Sequence, residues 1–153
     1  MIEEKLNSIG IRLSSPPQPI GSYVPVSQSG NLLFVSGQIP LSGGILPEKF
    51  KGKVPSQVSI IDSVQASKQC TINALEQMNK FLGNLERISK FVKLSGYVNS
   101  DPSFKDHPKV INGASDLLLE VFGERGKHTR VAVGVSSLPL DCVVEIDILC
   151  EVI

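Results

Sequence analysis

Two stretches near the C-terminal end alternate in polarity at every second residue, and they constrain this chain more than any other feature. The first is His128-Thr129-Arg130-Val131-Ala132-Val133-Gly134-Val135, and the second is Val144-Glu145-Ile146-Asp147-Ile148-Leu149-Cys150. Successive side chains on a strand point to opposite faces. Val131, Val133 and Val135 therefore share one face, with His128, Arg130, Ala132 and Gly134 on the other. In the second run Val144, Ile146, Ile148 and Cys150 share a face, opposite Glu145 and Asp147. If residues 136–141 form a short turn, the runs pair and their valine-rich faces merge into a core. The opposite face then carries Arg130 and Glu145 near each other beside small residues, an arrangement suited to a small anion.

The rest of the chain supplies partners for these strands. Residues 23–27 and 31–36 read as a hairpin, because Gly30 offers the positive φ that a tight turn needs. Residues 62–82 place Val64, Ala74, Leu75, Met78, Phe81 and Leu82 at helical spacing, and Gly83 stands where a helix ends. Residues 90–98 read as a strand with Val92, Leu94 and Val98 on one side and Phe91, Lys93, Ser95 and Tyr97 on the other. A second helix over about 108–122 is opened by Asp106 and Pro108 and stopped by Gly123, and its apolar stripe is Ile111, Ala114, Leu118, Val121 and Phe122. Residues 1–19 end in a proline-rich run and read as an N-terminal arm. Residues 41–58, rich in Gly and Pro, read as a surface loop. The expectation is a single domain over 1–153.

Two amphipathic helices can cover one face of such a sheet, not both. The other face would expose Phe91, Tyr97, Val143 and Leu149, which wastes apolar area at about 25 cal/mol per Å². Another subunit is expected to cover it. Fifteen basic and fifteen acidic residues give a net charge of zero, so no global field favours a polyanion, and nucleic acid is disfavoured as a partner. The cysteines, Cys70, Cys142 and Cys150, sit in apolar patterns and lack metal-ligand or redox spacing, which suits reduced, buried thiols in a cytoplasmic protein. The two histidines and the scattered cysteines lack ligand spacing, so no metal constellation is expected. No window is long and apolar enough to span a membrane.

The blocks Ile20-Gly21-Ser22-Tyr23, Gly30-Asn31, Ser36-Gly37-Gln38-Ile39-Pro40, Asn112, Arg130, Leu138-Pro139 and Val144-Glu145-Ile146 occur in an order and spacing that resembles the Rid family of reactive-intermediate deaminases. That family is also called YjgF-like or L-PSP endoribonuclease-like. Residues 110–117, with Phe122-Gly123-Glu124 and His128-Thr129-Arg130, look like a longer-chain subgroup of it. The resemblance implies an α+β fold like that of chorismate mutase: a mainly antiparallel sheet with two helices on one face, assembled as a homotrimer with its sites between subunits. It also implies hydrolysis of 2-enamine and 2-imine acids to 2-keto acids and ammonia, with no cofactor.

An imine acid offers a carboxylate to anchor and an electrophilic carbon to hydrate. Arg130 is the candidate anchor, because its planar fork pairs bidentately with a carboxylate; the alternative is a structural ion pair with Glu145 or Asp147. By resemblance, Glu145 positions water or shuttles a proton, and Tyr23 closes the cleft and offers its hydroxyl. Ser36, Gly37 and Asn112 match family positions around the substrate, as does the backbone at Ala132. His128 shares the face of Arg130 but more simply reads as a surface group. Many deaminases of the family carry cysteine where this chain has Ala132, which leaves open a non-catalytic trimer that binds carboxylic acids or a protein partner. A ribonuclease, as the family's older name suggests, finds no basic or aromatic stripe here.

Overall fold

A computed structural model describes residues 1–153. Eight principal elements follow in the order α1 (Ile2–Ser8), β1 (Val26–Ser29), β2 (Leu32–Gln38), α2 (Ile60–Leu82), β3 (Ile88–Asn99), α3 (His107–Phe122), β4 (Thr129–Val135) and β5 (Val144–Val152). The strands form one five-stranded sheet in the order β1-β2-β5-β3-β4. All neighbours are antiparallel except β3 and β4, which α3 connects as a parallel pair. The helices α2 and α3 pack on one face of the sheet and on each other, and the other face is bare.

Local chemistry accounts for the elements that the sequence foretold. Gly30 adopts φ 58° between β1 and β2. The Ser59 side chain caps α2 by accepting from the Asp62 amide, and Gly83 ends it in the left-handed region at φ 76°. The stripe of α3 (Ile111, Ala114, Leu118, Val121 and Phe122) is buried throughout.

The pairing of the two C-terminal runs is where expectation and structure part. β4 and β5 are not neighbours, because β3 lies between them and pairs with both. Residues 136–141 do not make a hairpin turn: Pro139–Asp141 form a 3-10 turn in which Leu140 and Asp141 take φ of 57° and 58°. A local network holds that turn. Buried Asn99 donates to the Asp141 carboxylate and the Cys142 carbonyl, while Lys53 Nζ donates to the Asn99 side chain at 2.8 Å and the Ser136 carbonyl at 2.7 Å.

The faces change accordingly. Leu94 of β3 stands between Arg130 and Ile148, and Tyr97 stands between Val133 and Glu145. Residues in register share a face, and Leu94 and Ile148 are buried beneath the helices. Arg130, Ala132 and Gly134 therefore lie on the helix side, whereas Val131 and Val133 lie on the bare face, 40% and 44% exposed. The valines of β4 are not part of this chain's core, and Arg130 and Glu145 stand on opposite faces of one sheet.

Other expectations need correction too. Phe91 and Val143 are buried, not on the bare face. An irregularity between Phe91 and Lys93 shifts the alternation of β3 by one residue, so Phe91 turns inward and packs edge-on against Phe122 with centroids 4.8 Å apart. Such a shift moves side chains to the other face without changing composition. The N-terminal arm contains α1, whose Ile2 and Leu6 lie one turn apart and are buried. Residues 41–58 are not a free surface loop, since Leu46, Phe50, Val54 and Val58 are buried in the core cluster.

Candidate functional site

β4 is an edge strand, and its helix-side residues meet the flank of α3. Arg130 is half-buried there, and its Nη1 donates to Asn112 Oδ1 at 2.8 Å and to Ser115 Oγ at 3.2 Å. Asn112 and Ser115 lie one helical turn apart, so both reach the same guanidinium. Ser115, 8% exposed, also meets His128 Nε2 at 2.8 Å, and His128 Nδ1 lies 2.6 Å from the Gly126 carbonyl. An open groove of about 410 Å³ is lined by Ser115, Leu119, Lys127, His128 and Arg130. Arg130 takes part in none of the chain's ion pairs, whereas Lys127 is held by Glu124 at 2.9 Å. Ala132 follows Arg130 on the same face and packs against the core.

The second group lies on the bare face. Glu145 covers Gly37, and a Cβ added at Gly37 would collide with the Glu145 carboxylate. Ser36 and Gly37 occupy the irregularity between Val35 and Gln38, where the Ser36 amide donates to the Pro25 carbonyl at 2.9 Å. Burial and the neighbouring Asp147 hold the Glu145 carboxyl above its ordinary range. Tyr97 donates to Asp147 Oδ2 at 3.1 Å, and burial together with that carboxylate pushes the phenol up. A carboxyl raised in this way holds a proton more readily than an ordinary glutamate, which suits it to proton transfer.

The fold thus brings together Arg130 with Asn112 and Ala132, and Glu145 with Gly37 and Ser36, but does not join the two groups within one chain. Tyr23 belongs to neither. It is 54% exposed, its ring lies against Gly21, and its hydroxyl has no hydrogen-bond partner. Sequence reasoning missed Ser115, although a polar residue one turn after Asn112, set among Ile111, Ala114 and Leu118, was a readable signal.

Burial disfavours the thiolate form of all three cysteines. All three are free and buried; burial, then Glu145, pushes Cys142 up to about 12, and burial does the same for Cys150. Nucleophilic chemistry needs a thiolate, which these environments suppress. No three His, Cys, Asp or Glu side chains converge as metal ligands, and no helix is long and apolar enough to cross a membrane.

The mixed five-stranded sheet with two covering helices is the α+β fold of YjgF/chorismate mutase-like proteins. Residues 3–152 match the family described as "YjgF/chorismate mutase-like, putative endoribonuclease", and the chain belongs to that YjgF/RutC/Rid family. It is 40% identical over 153 residues to Protein TCP17 of Trypanosoma cruzi, covering 98% of this chain and 93% of that one. It is 30% identical over 132 residues to the RutC family protein PH0854 of Pyrococcus horikoshii, covering 86% and 87%. Among solved structures, the protein Atu1372 from Agrobacterium tumefaciens superposes with a TM-score of 0.93 at 40% identity, covering 99% of this chain and 92% of that one.

Proposed function

We propose that this protein hydrolyses small 2-imino and 2-enamino acids to 2-keto acids and ammonia, in a cleft completed by a second subunit of a homotrimer. The observation that carries the reading is Arg130: a half-buried guanidinium held by Asn112 and Ser115 and free of any carboxylate in its own chain. With Nη1 already held by Asn112 and Ser115, the remaining donors of the guanidinium are free for a carboxylate, and a 2-imino acid supplies one. The reaction then needs water delivered to the C=N carbon and protons delivered to nitrogen. Glu145, protonated more readily than an ordinary glutamate, can take a proton from that water and pass it to the departing amine. Arg130 and Glu145 occupy opposite faces of one sheet, so the anchor of one subunit works with the carboxyl of another.

Ala132 supports a second reading, a non-catalytic protein that binds small carboxylic acids. It stands where many family deaminases carry cysteine, while the groups that would hold a carboxylate are retained.

The deciding experiment generates 2-aminoacrylate in situ with an amino-acid dehydratase and follows 2-keto acid release. The protein is expected to accelerate release, and Arg130→Ala to abolish the acceleration by at least about 100-fold, the worth of a lost bidentate charged pair. No acceleration by the intact protein, with retained affinity for pyruvate, overturns the deaminase reading in favour of binding alone.

A further inference from the structure

His128 and Ser115 have directional hydrogen bonds that lead to Arg130. The Gly126 carbonyl can only accept, so at 2.6 Å the proton of the imidazole resides on Nδ1. In the neutral ring Nε2 is then the acceptor, and the Ser115 hydroxyl, 2.8 Å away, must donate to it. With its hydrogen so committed, Ser115 Oγ presents a lone pair to Arg130 Nη1 at 3.2 Å. Asn112 Oδ1 accepts from the same nitrogen at 2.8 Å. Nη1 has two hydrogens, and the two acceptors account for both.

We propose that His128 and Ser115 are positioning residues that fix the guanidinium so that its Nε and Nη2 edge, and not Nη1, receives the substrate carboxylate. This rests on Arg130 being the carboxylate anchor, and adds how the anchor is aimed. A long side chain on an edge strand would otherwise sample many rotamers, and ordering it before the ligand arrives removes that cost from binding. Asn112 alone restrains Nη1 through one hydrogen. The second acceptor stops rotation about the bond to Nη1 and sets the plane of the fork. While His128 keeps its Nδ1–H tautomer, which the Gly126 carbonyl favours, the Ser115 hydrogen is drawn to Nε2 and away from Arg130. His128 therefore acts two hydrogen bonds away from the guanidinium.

Three measurements test this on the intact protein. Nitrogen-15 NMR of the imidazole is expected to show the Nδ1–H tautomer for His128, and the Arg130 guanidinium is expected to show slowed rotation that Ser115→Ala releases. With pyruvate as the probe, Ser115→Ala and His128→Ala are each expected to raise Kd about tenfold, the scale of one hydrogen bond to a charged group. The double variant should bind no worse than the weaker single one, because both changes break one chain. An Nε2–H tautomer, an unrestrained Arg130 in the wild type, or additive losses would each overturn the proposal. If the wild type fails to bind pyruvate while His128 and Arg130 show the expected spectra and Ser115→Ala releases the guanidinium, the positioning chain stands and the carboxylate-anchor reading is what falls.

Discussion

Glu145 has the most informative titration among the residues of the two half-sites. Burial, with Asp147 beside it, raises its carboxyl above the unfolded value, so the folded chain holds a proton that the unfolded chain has released. The contribution of Glu145 to stability is therefore fully present below the ordinary glutamate range and is lost as pH rises from that range through the raised folded value. Glu145→Gln removes the titration. Thermal unfolding measured across mildly acidic to neutral pH is expected to show a smaller decline for the variant than for the wild type. The same substitution should lower imine hydrolysis by roughly 10²–10⁴-fold, the usual contribution of a general acid–base. Glycine at position 37 is explained at this scale too, because any Cβ there would collide with the Glu145 carboxylate.

The element that most depends on close approach is the α2–α3 pair. α2 buries Ser63, Ala66, Ser67, Cys70, Thr71 and Ala74, a surface of small side chains, whereas Phe81, read from spacing as part of its stripe, is 49% exposed. Ser67 donates to the Val110 carbonyl of α3 at 2.7 Å. At Gly113 an added Cβ would collide with the Val64 carbonyl, a backbone atom that cannot swing aside. Gly113→Ala is expected to destabilise the fold by about 2 kcal/mol, within the range for overpacking a tight contact, read as a lower denaturation midpoint at unchanged m-value. α3 also carries Asn112 and Ser115, so loss of that contact should weaken pyruvate binding as well. Helical spacing identified both helices, but it gave no measure of how near they come. That distance depends on which small residues face each other, and two separate periodic patterns do not reveal it.

For the molecule as a whole, the bare face of the sheet is the main consequence of the fold. Leu32, Phe34, Val131 and Val133 are exposed there around Tyr97, Glu145 and Asp147. A trimer that covers this face would bring the Arg130 group of one subunit to the Glu145 group of the next. Mixing two inactive variants tests this directly. Arg130→Ala and Glu145→Gln subunits, unfolded and reassembled together, are expected to recover part of the wild-type rate, because some clefts then contain an intact arginine and an intact glutamate. Recovery no greater than that of either variant reassembled alone would place both groups in a single subunit, against the geometry of the sheet.

The two long helices and most of the strands were legible in the sequence, although the first strand, read over 23–27, lies at Val26–Ser29. These depend on local rules: alternation along a strand, the helical repeat, and glycine at positive φ. Partnership between strands is not local. Alternation showed that 128–135 and 144–150 are strands but could not show that β3 would insert between them. Nor could it show the single-residue irregularity near Phe91, which reverses faces from there on. Whether Arg130 looks toward α3 or toward the bare face follows from that register, and so does the reach of Ser115 and His128. The sequence by itself determined which residues carry the charge and which segments are extended. Tertiary pairing decided which face each charge occupies, because a strand offers two equivalent faces and only its neighbours distinguish them.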